Sequence, residues 1–317
     1  MSHHSLPAAC PIDFMGNNCW DGNITHTSKG QEVMSTAQYV SVHGGHSGQF
    51  CYHAKDTLEE IIQSYISHGF PWVGITEHVP GITMELLYPD QQKAGFTPAS
   101  LLERFDRYMQ ECRRLKQKYA DQIDIYAAME IETYSGYDTF IPNLIERYRP
   151  DYIVGSIHFV NDMVFDYSRE RYDLLAETVG GHDELYSRYF DMQYEMIELL
   201  RPEVVGHFDL IRIFDPYYKE RLRKPEIEAK VIRNLELIKK YNLIMDFNIR
   251  SLLKGADEPY ITAHILQMAK DLDIAVVPGD DSHGLDNIHI NMDKAISILK
   301  EYGFATNWRK PRRIHYD

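Results

Sequence analysis

The chain has 317 residues, with 33 basic against 47 acidic side chains, a formal net charge of −14, and 44% hydrophobic and 25% charged residues, the composition of an ordinary globular protein. An acidic balance without a long Lys/Arg block argues against nucleic acid or an anionic membrane as the main partner, since both need clustered cations to replace counterions. A small anionic substrate held through metal remains open.

Residues 1–33 are rich in Asn, Gly, Ser and Thr and lack periodicity, so they read as a flexible N-terminal extension ahead of a single domain, 34–317. No apolar run approaches the ~18 residues of a membrane span, and no basic region followed by an apolar one opens the chain, so a cytoplasmic protein is expected. Cys10, Cys19, Cys51 and Cys112 form no CxxC, which suggests neither a disulfide framework nor a cysteine zinc site.

From Met34 onward short β-branched runs alternate with amphipathic stretches. The expected strands are Tyr39–Val42, Trp72–Thr76, Ile123–Met129, Tyr152–Ser156, Glu203–Val205, Leu243–Phe247 and Ile274–Pro278; the helices fall near 56–68, 98–120, 139–148, 183–200, 225–241, 259–272 and 292–302. Asp56 and Glu59 suggest a capping box for the first helix and Gly69 its end, while Pro98 and Pro225 stand at first-turn positions. Seven β-then-α units imply a parallel sheet closed or nearly closed into a barrel. No GxGxxG or P-loop supports the alternative, an open doubly wound sheet.

Every strand delivers a metal-ligand type of side chain at its carboxyl end. His43, His46 and His53 follow strand 1 (HGGHSGQFCYH); Glu77 and His78 strand 2; Glu130 and Glu132 strand 3; His158 strand 4; His207 and Asp209 strand 5; Asp246 and Asn248 end strand 6; Asp280, Asp281 and His283 follow strand 7. In a β/α barrel those ends converge on one mouth, and imidazole with carboxylate suits Zn, Fe or Mn. Alternation is read as turning Glu77 away from His78 and Glu132 away from Glu130, which makes them supporting groups or surface acids; Asp280 has the same relation to Asp281. Cys51 is expected to pack its loop rather than bind metal. The other histidines lack such placement and read as ordinary polar residues.

These segments resemble the PHP family, named for polymerase and histidinol phosphatase, over most of residues 40–290. The resemblance rests on His46 and His53, Thr76-Glu77-His78, Glu130, Gly155-Ser156-Ile157-His158, Gly206-His207-Phe208-Asp209-Leu210 and Asp281-Ser282-His283. Within that family HSGQFCYHA, ITEHVP, GSIHFV and GHFDLI are most similar to stand-alone histidinol-phosphate phosphatases. The resemblance implies an α/β fold, a distorted seven-stranded (β/α)7 barrel, holding two or three divalent ions of Zn, Fe or Mn. Their ligands would be His43, His46, His53, His78, Glu130, His158, His207, Asp281 and His283, with Glu130, His207 and Asp281 counted as catalytic. Such ions lower the pKa of a water and bind phosphoryl oxygens. The expected reaction is hydrolysis of L-histidinol phosphate, a small phosphorylated substrate, with Arg212 or Arg250 holding the phosphate. Rival readings are another small phosphate ester or nucleotide, or a metal-binding protein without activity. The departure lies in His43-Gly44-Gly45-His46, where the family's one-residue gap becomes two. In a regular strand that flips one side chain to the other face; a glycine bulge would restore it.

Overall fold

The computed structural model describes residues 37–316, so the expected extension 1–33 lies outside the described residues. Seven strands, β1 (Ser41–Gly44), β2 (Trp72–His78), β3 (Asp124–Ile131), β4 (Ile153–Gly155), β5 (Val204–Val205), β6 (Ile244–Asn248) and β7 (Ala275–Gly279), form one sheet in sequence order. Each neighbouring pair is parallel. β1 and β7 meet just past their ends, where Asp281 N donates to His43 O at 2.8 Å and His46 N to Ser282 O at 2.9 Å. The sheet is a nearly closed barrel, as the seven β-then-α units require.

The main helices are α1 (Leu58–Ser67), α2 (Pro98–Lys118), α3 (Tyr137–Tyr148), α4 (Arg169–Val179), α5 (His182–Leu200), α6 (Pro225–Tyr241), α7 (Ala263–Asp271) and α8 (Met292–Glu301). Pro98 and Pro225 open α2 and α6 as expected. The cap of α1 sits one residue later than the sequence suggested: Thr57 pairs with Glu60, while the Asp56 carboxylate accepts Leu285 N instead. Helix α7 begins four residues later than expected. Tyr260 is held in extended backbone by paired bonds to Asn248, 2.7 and 3.0 Å, so 259–262 cannot join the helix. Helix α4 and a small hairpin, Phe159–Val160 with Met163–Val164, were not anticipated. Among the described residues no helix is long and apolar enough to cross a membrane.

Strand alternation divides the core. Val42, Trp72, Tyr126, Ala128, Tyr152, Val154, Val204, Ile244 and Val277 fill the barrel interior, while Val73, Ile75, Ile125, Ala127, Met129, Val205 and Met245 pack outward under the helices. Tyr152 plugs the interior and donates its hydroxyl to Val42 O at 2.6 Å. A Cβ on Gly74 would lie 1.7 Å from that hydroxyl, so β2 needs glycine there. Above this plug the inward series continues into His78, Glu130 and Asp246, and polar chemistry replaces packing.

Candidate active site

Glu130 stands at the centre of the mouth, 1% exposed. Its Oε1 lies 2.9 Å from His207 Nε2 and 3.4 Å from His158 Nε2. Its Oε2 lies 3.2 Å from His43 Nε2, 3.1 Å from His78 Nδ1 and 3.8 Å from His46 Nε2. Asp281 joins from the end of β7, with Oδ1 3.3 Å from His46 Nε2 and 3.6 Å from His283 Nδ1. The His283 ring stacks on those of His46 and His53, at centroid distances of 4.2 and 4.9 Å. All of the expected ligand residues therefore meet at one mouth, with His53 at its open rim.

His43 reaches the mouth through a bulge. Ser41 pairs with Val73 and Gly44 with Ile75, so three steps along β1 match two along β2. Gly45 then turns at φ 71°, where any Cβ would meet Ile75 at 2.6 Å. The extra residue cancels the two-residue gap, and both imidazoles are buried in the site.

A second layer of carboxylates fixes the rings. Asp246 Oδ2 lies 3.0 Å from His43 Nδ1 and also accepts His207 N at 3.2 Å. Glu77 Oε1 faces His46 Nδ1 at 3.3 Å. Glu132 Oε2 lies 2.7 Å from His158 Nδ1, and its Oε1 3.2 Å from His78 Nδ1. The expected turning of Glu132 away from Glu130 is corrected here, because residues two apart on a strand share a face. Orienting contacts of this kind set the tautomer and basicity of metal-ligating imidazoles.

Several atoms in the inner layer lack a well-aligned partner among the described residues: His43 Nε2, His46 Nε2, His78 Nδ1 and Glu130 Oε2. They face one another across the mouth at 3.1–3.8 Å without the alignment that a hydrogen bond needs. Buried polar atoms are rarely left so. Four overlapping sets have donor atoms within 4.8 Å of one another: His43 with His46 and Glu130; His78 with Glu130 and His158; His43 with His207 and Asp281; and His46 with Cys51, His78 and His283. Nitrogen and carboxylate donors in this arrangement fit divalent transition metals.

The protonation balance agrees. Burial would strip His43 of its proton, yet the charges of Glu130 and Asp281 hold its pKa well above the ordinary value. Burial likewise opposes a proton on His158, and Glu132 and Glu130 outweigh it, raising the group to about 10. Burial works against ionised Glu130 too, but His43, His78 and His158 keep it well below the usual carboxylate range. The carboxylates thus draw positive charge into the mouth, and a divalent ion held there would take the place of such protons. His283 differs: burial, then Arg250 and His46, press its pKa well down, leaving a neutral ring.

Above the centre opens a cavity of about 190 Å³, also lined by Tyr88, Asp90, Asp166, Tyr167, Leu210, Arg250, Lys254 and Tyr260. Arg250 donates NH1 to Asp281 O at 2.8 Å. Arg212 does not reach this cavity. Its guanidinium is buried, donates through Nη2 to Glu258 O and Pro259 O at 3.0 and 2.6 Å, and lies 3.3 Å from Asp209; the expected phosphate role is not supported, because the group is buried against the loop that carries Tyr260 and does not line the cavity. The three-residue spacing of Asp209 and Arg212 was the available sign of an ion pair. Asp280 also points elsewhere, accepting from Ser41 and Tyr65. Asp166, Tyr167 and Lys254 were missed because they sit several residues past the strand ends.

The PHP domain family model matches residues 44–250. A Schizosaccharomyces pombe protein named a probable histidinol-phosphatase is 35% identical over 271 residues, 84% of this chain and 88% of that one. The crystal structure of a Listeria monocytogenes protein named a histidinol phosphatase superposes with a TM-score of 0.72 at 25% identity, covering 81% of this chain and 99% of the other. The fold is shared as well by a histidinol phosphate phosphatase from Lactococcus lactis, solved with zinc, L-histidinol and phosphate, at a TM-score of 0.63 and 17% identity, over 84% and 93% of the two chains.

Proposed function

The chain belongs to the PHP-domain family and is of its histidinol-phosphatase type, and from that premise we propose that it hydrolyses L-histidinol phosphate to L-histidinol and phosphate, in the cytoplasm, as a step of histidine biosynthesis. The observation that carries this reading is Glu130, whose two carboxylate oxygens face five imidazoles at one buried centre. His43, His46, His53, His78, Glu130, His158, His207, Asp281 and His283 would hold two or three ions of Zn, Fe or Mn. Bound there, such ions supply Lewis acidity, lower the pKa of a water and neutralise a phosphoryl group.

The chain's own residues do the rest. Asp246, Glu77 and Glu132 hold the imidazoles in the orientations that ligation needs. Arg250, anchored on Asp281 O, puts a guanidinium beside the centre, and its fork matches two phosphate oxygens. In a chain of net charge −14 this local positive charge is what lets a dianion enter. A cavity near 190 Å³ is small beside the ~300–1,000 Å³ of common ligand pockets, and it suits a small phosphomonoester better than a polynucleotide.

Steady-state kinetics with added Mn or Zn test the proposal. Turnover of L-histidinol phosphate at a kcat/KM well above that of nucleoside monophosphates is expected, together with rescue of a histidine auxotroph lacking this phosphatase. Preference for nucleotides would overturn the substrate, and failure on every phosphomonoester would overturn the reaction.

A further inference from the structure

The cavity carries one acid that neither the metal centre nor the fold uses. Asp166 lies between the hairpin strand Met163–Val164 and α4, and both sides hold it in place: Phe165, fully buried, donates N to His158 O at 3.1 Å, and Ser168 caps α4 by accepting Arg171 N. Asp166 lines the cavity, yet its Oδ1 is buried without a hydrogen-bond partner among the described residues. Asp90, the other acid on the wall away from the centre, is partly spent, since its Oδ1 accepts Gln91 N at 2.9 Å. Of the two cations lining the same space, Arg250 is turned to Asp281 O, and Lys254 makes no hydrogen bond to Asp166 Oδ1.

A carboxylate beside a phosphate site repels the substrate it must share space with, and burying one of its oxygens unpaired adds a desolvation cost. Both penalties reverse when the substrate brings a protonated nitrogen, because a charge-assisted hydrogen bond satisfies the oxygen. The rings of Tyr88, Tyr167 and Tyr260 line the same cavity and offer aromatic faces to an organic cation. We propose that Asp166 receives the ammonium group of the substrate and so restricts the site to phosphomonoesters of amino alcohols.

This inference rests on the phosphatase reading and deepens it. Turnover of 4-nitrophenyl phosphate by the metal-loaded wild type tests that reading alone. The new claim is tested by comparing Asp166→Asn with wild type on L-histidinol phosphate and on 4-nitrophenyl phosphate. Expected is a loss of roughly 10- to 100-fold in kcat/KM on the amino-alcohol ester, chiefly through KM, with the aryl ester, which carries no ammonium group, unchanged or faster and the metal content intact. Equal losses on both esters would assign Asp166 to the shared chemistry or to folding and overturn the proposal; no loss on either would overturn it too. Calorimetry without turnover gives a second reading. L-histidinol should bind the wild type at least about tenfold more tightly than the same alcohol lacking its amine, and equal binding would sink the idea even if Asp166→Asn failed to fold.

Discussion

The floor and the mouth of the barrel both gather acids, but lysine and arginine side chains pair with only one set. At the amino ends of the strands, Glu203 accepts from Arg309 at 2.8 Å and from Arg312 at 2.7 Å. Asp124 accepts from Lys310, and Asp151 from Lys116 and Arg313. The C-terminal segment thus lies across β3, β4 and β5 and completes the floor. At the carboxyl ends Glu130 and Asp281 meet imidazoles, and the facing atoms of His43, His46 and His78 have no hydrogen-bond partner among the described residues. Five basic residues pair with the acids of the floor, where they serve stability, whereas no Lys or Arg pairs with Glu130 among the described residues, and the mouth is left to be completed from outside.

That contrast predicts which end responds to which perturbation. The largest effect is expected from strong chelation, which should abolish turnover and also lower the melting temperature by several degrees, since ions that bind only the folded state add to its stability. Activity assays and scanning calorimetry on chelated and reloaded protein measure both. Full turnover after metal removal would mean that the mouth is satisfied as it stands.

Next in size, His43→Ala and His46→Ala should each lower metal content and cost roughly 10²-fold or more in kcat, an order of magnitude like that of losing one preorganised group at a reacting centre. The bulge at Ser41–Gly44 makes the two equivalent in this respect. A His43→Ala protein with normal metal content and rate would remove it from the ligand set. One layer further out, Glu132→Gln should cost about 10- to 100-fold in metal affinity, because it orients His158 and His78 without ligating. A metal titration of the variant decides that value, and an unchanged affinity would make Glu132 a bystander.

The mouth was far more legible in the sequence than its surroundings, and the reason is geometric. A barrel brings all strand ends to one place, so a ligand type after every strand could be read as one site without knowing any distance. Support groups carry no such signature. Glu132 depended on whether β3 stays regular for two more residues, and Asp246 on which face of β6 turns inward. Arg212 looked as available as Arg250 until the loop carrying Tyr260 folded over it. Asp166 follows a hairpin whose two-residue strands are too short to show periodicity. Residues placed by strand order were found, whereas those placed by loop packing were not.

The smallest expected effect belongs to the floor and is confined to stability. Glu203 is 8% exposed and takes hydrogen bonds from two arginines and from Arg312 N at 3.0 Å. Glu203→Gln keeps the shape but removes the charge, so each arginine loses a charge-assisted bond while retaining water as an alternative partner. Because both guanidinium groups are partly solvated, the loss should be only about 1–2 kcal/mol, a shift of about 2–8 °C in a domain of this size. kcat, KM and metal content should stay at wild-type values, because no Glu203 contact reaches the centre. Thermal melting alongside kinetics makes the test: a Glu203→Gln protein that melts normally would show that the strap is ornamental, and one that loses metal would show that the two ends of the barrel are not independent.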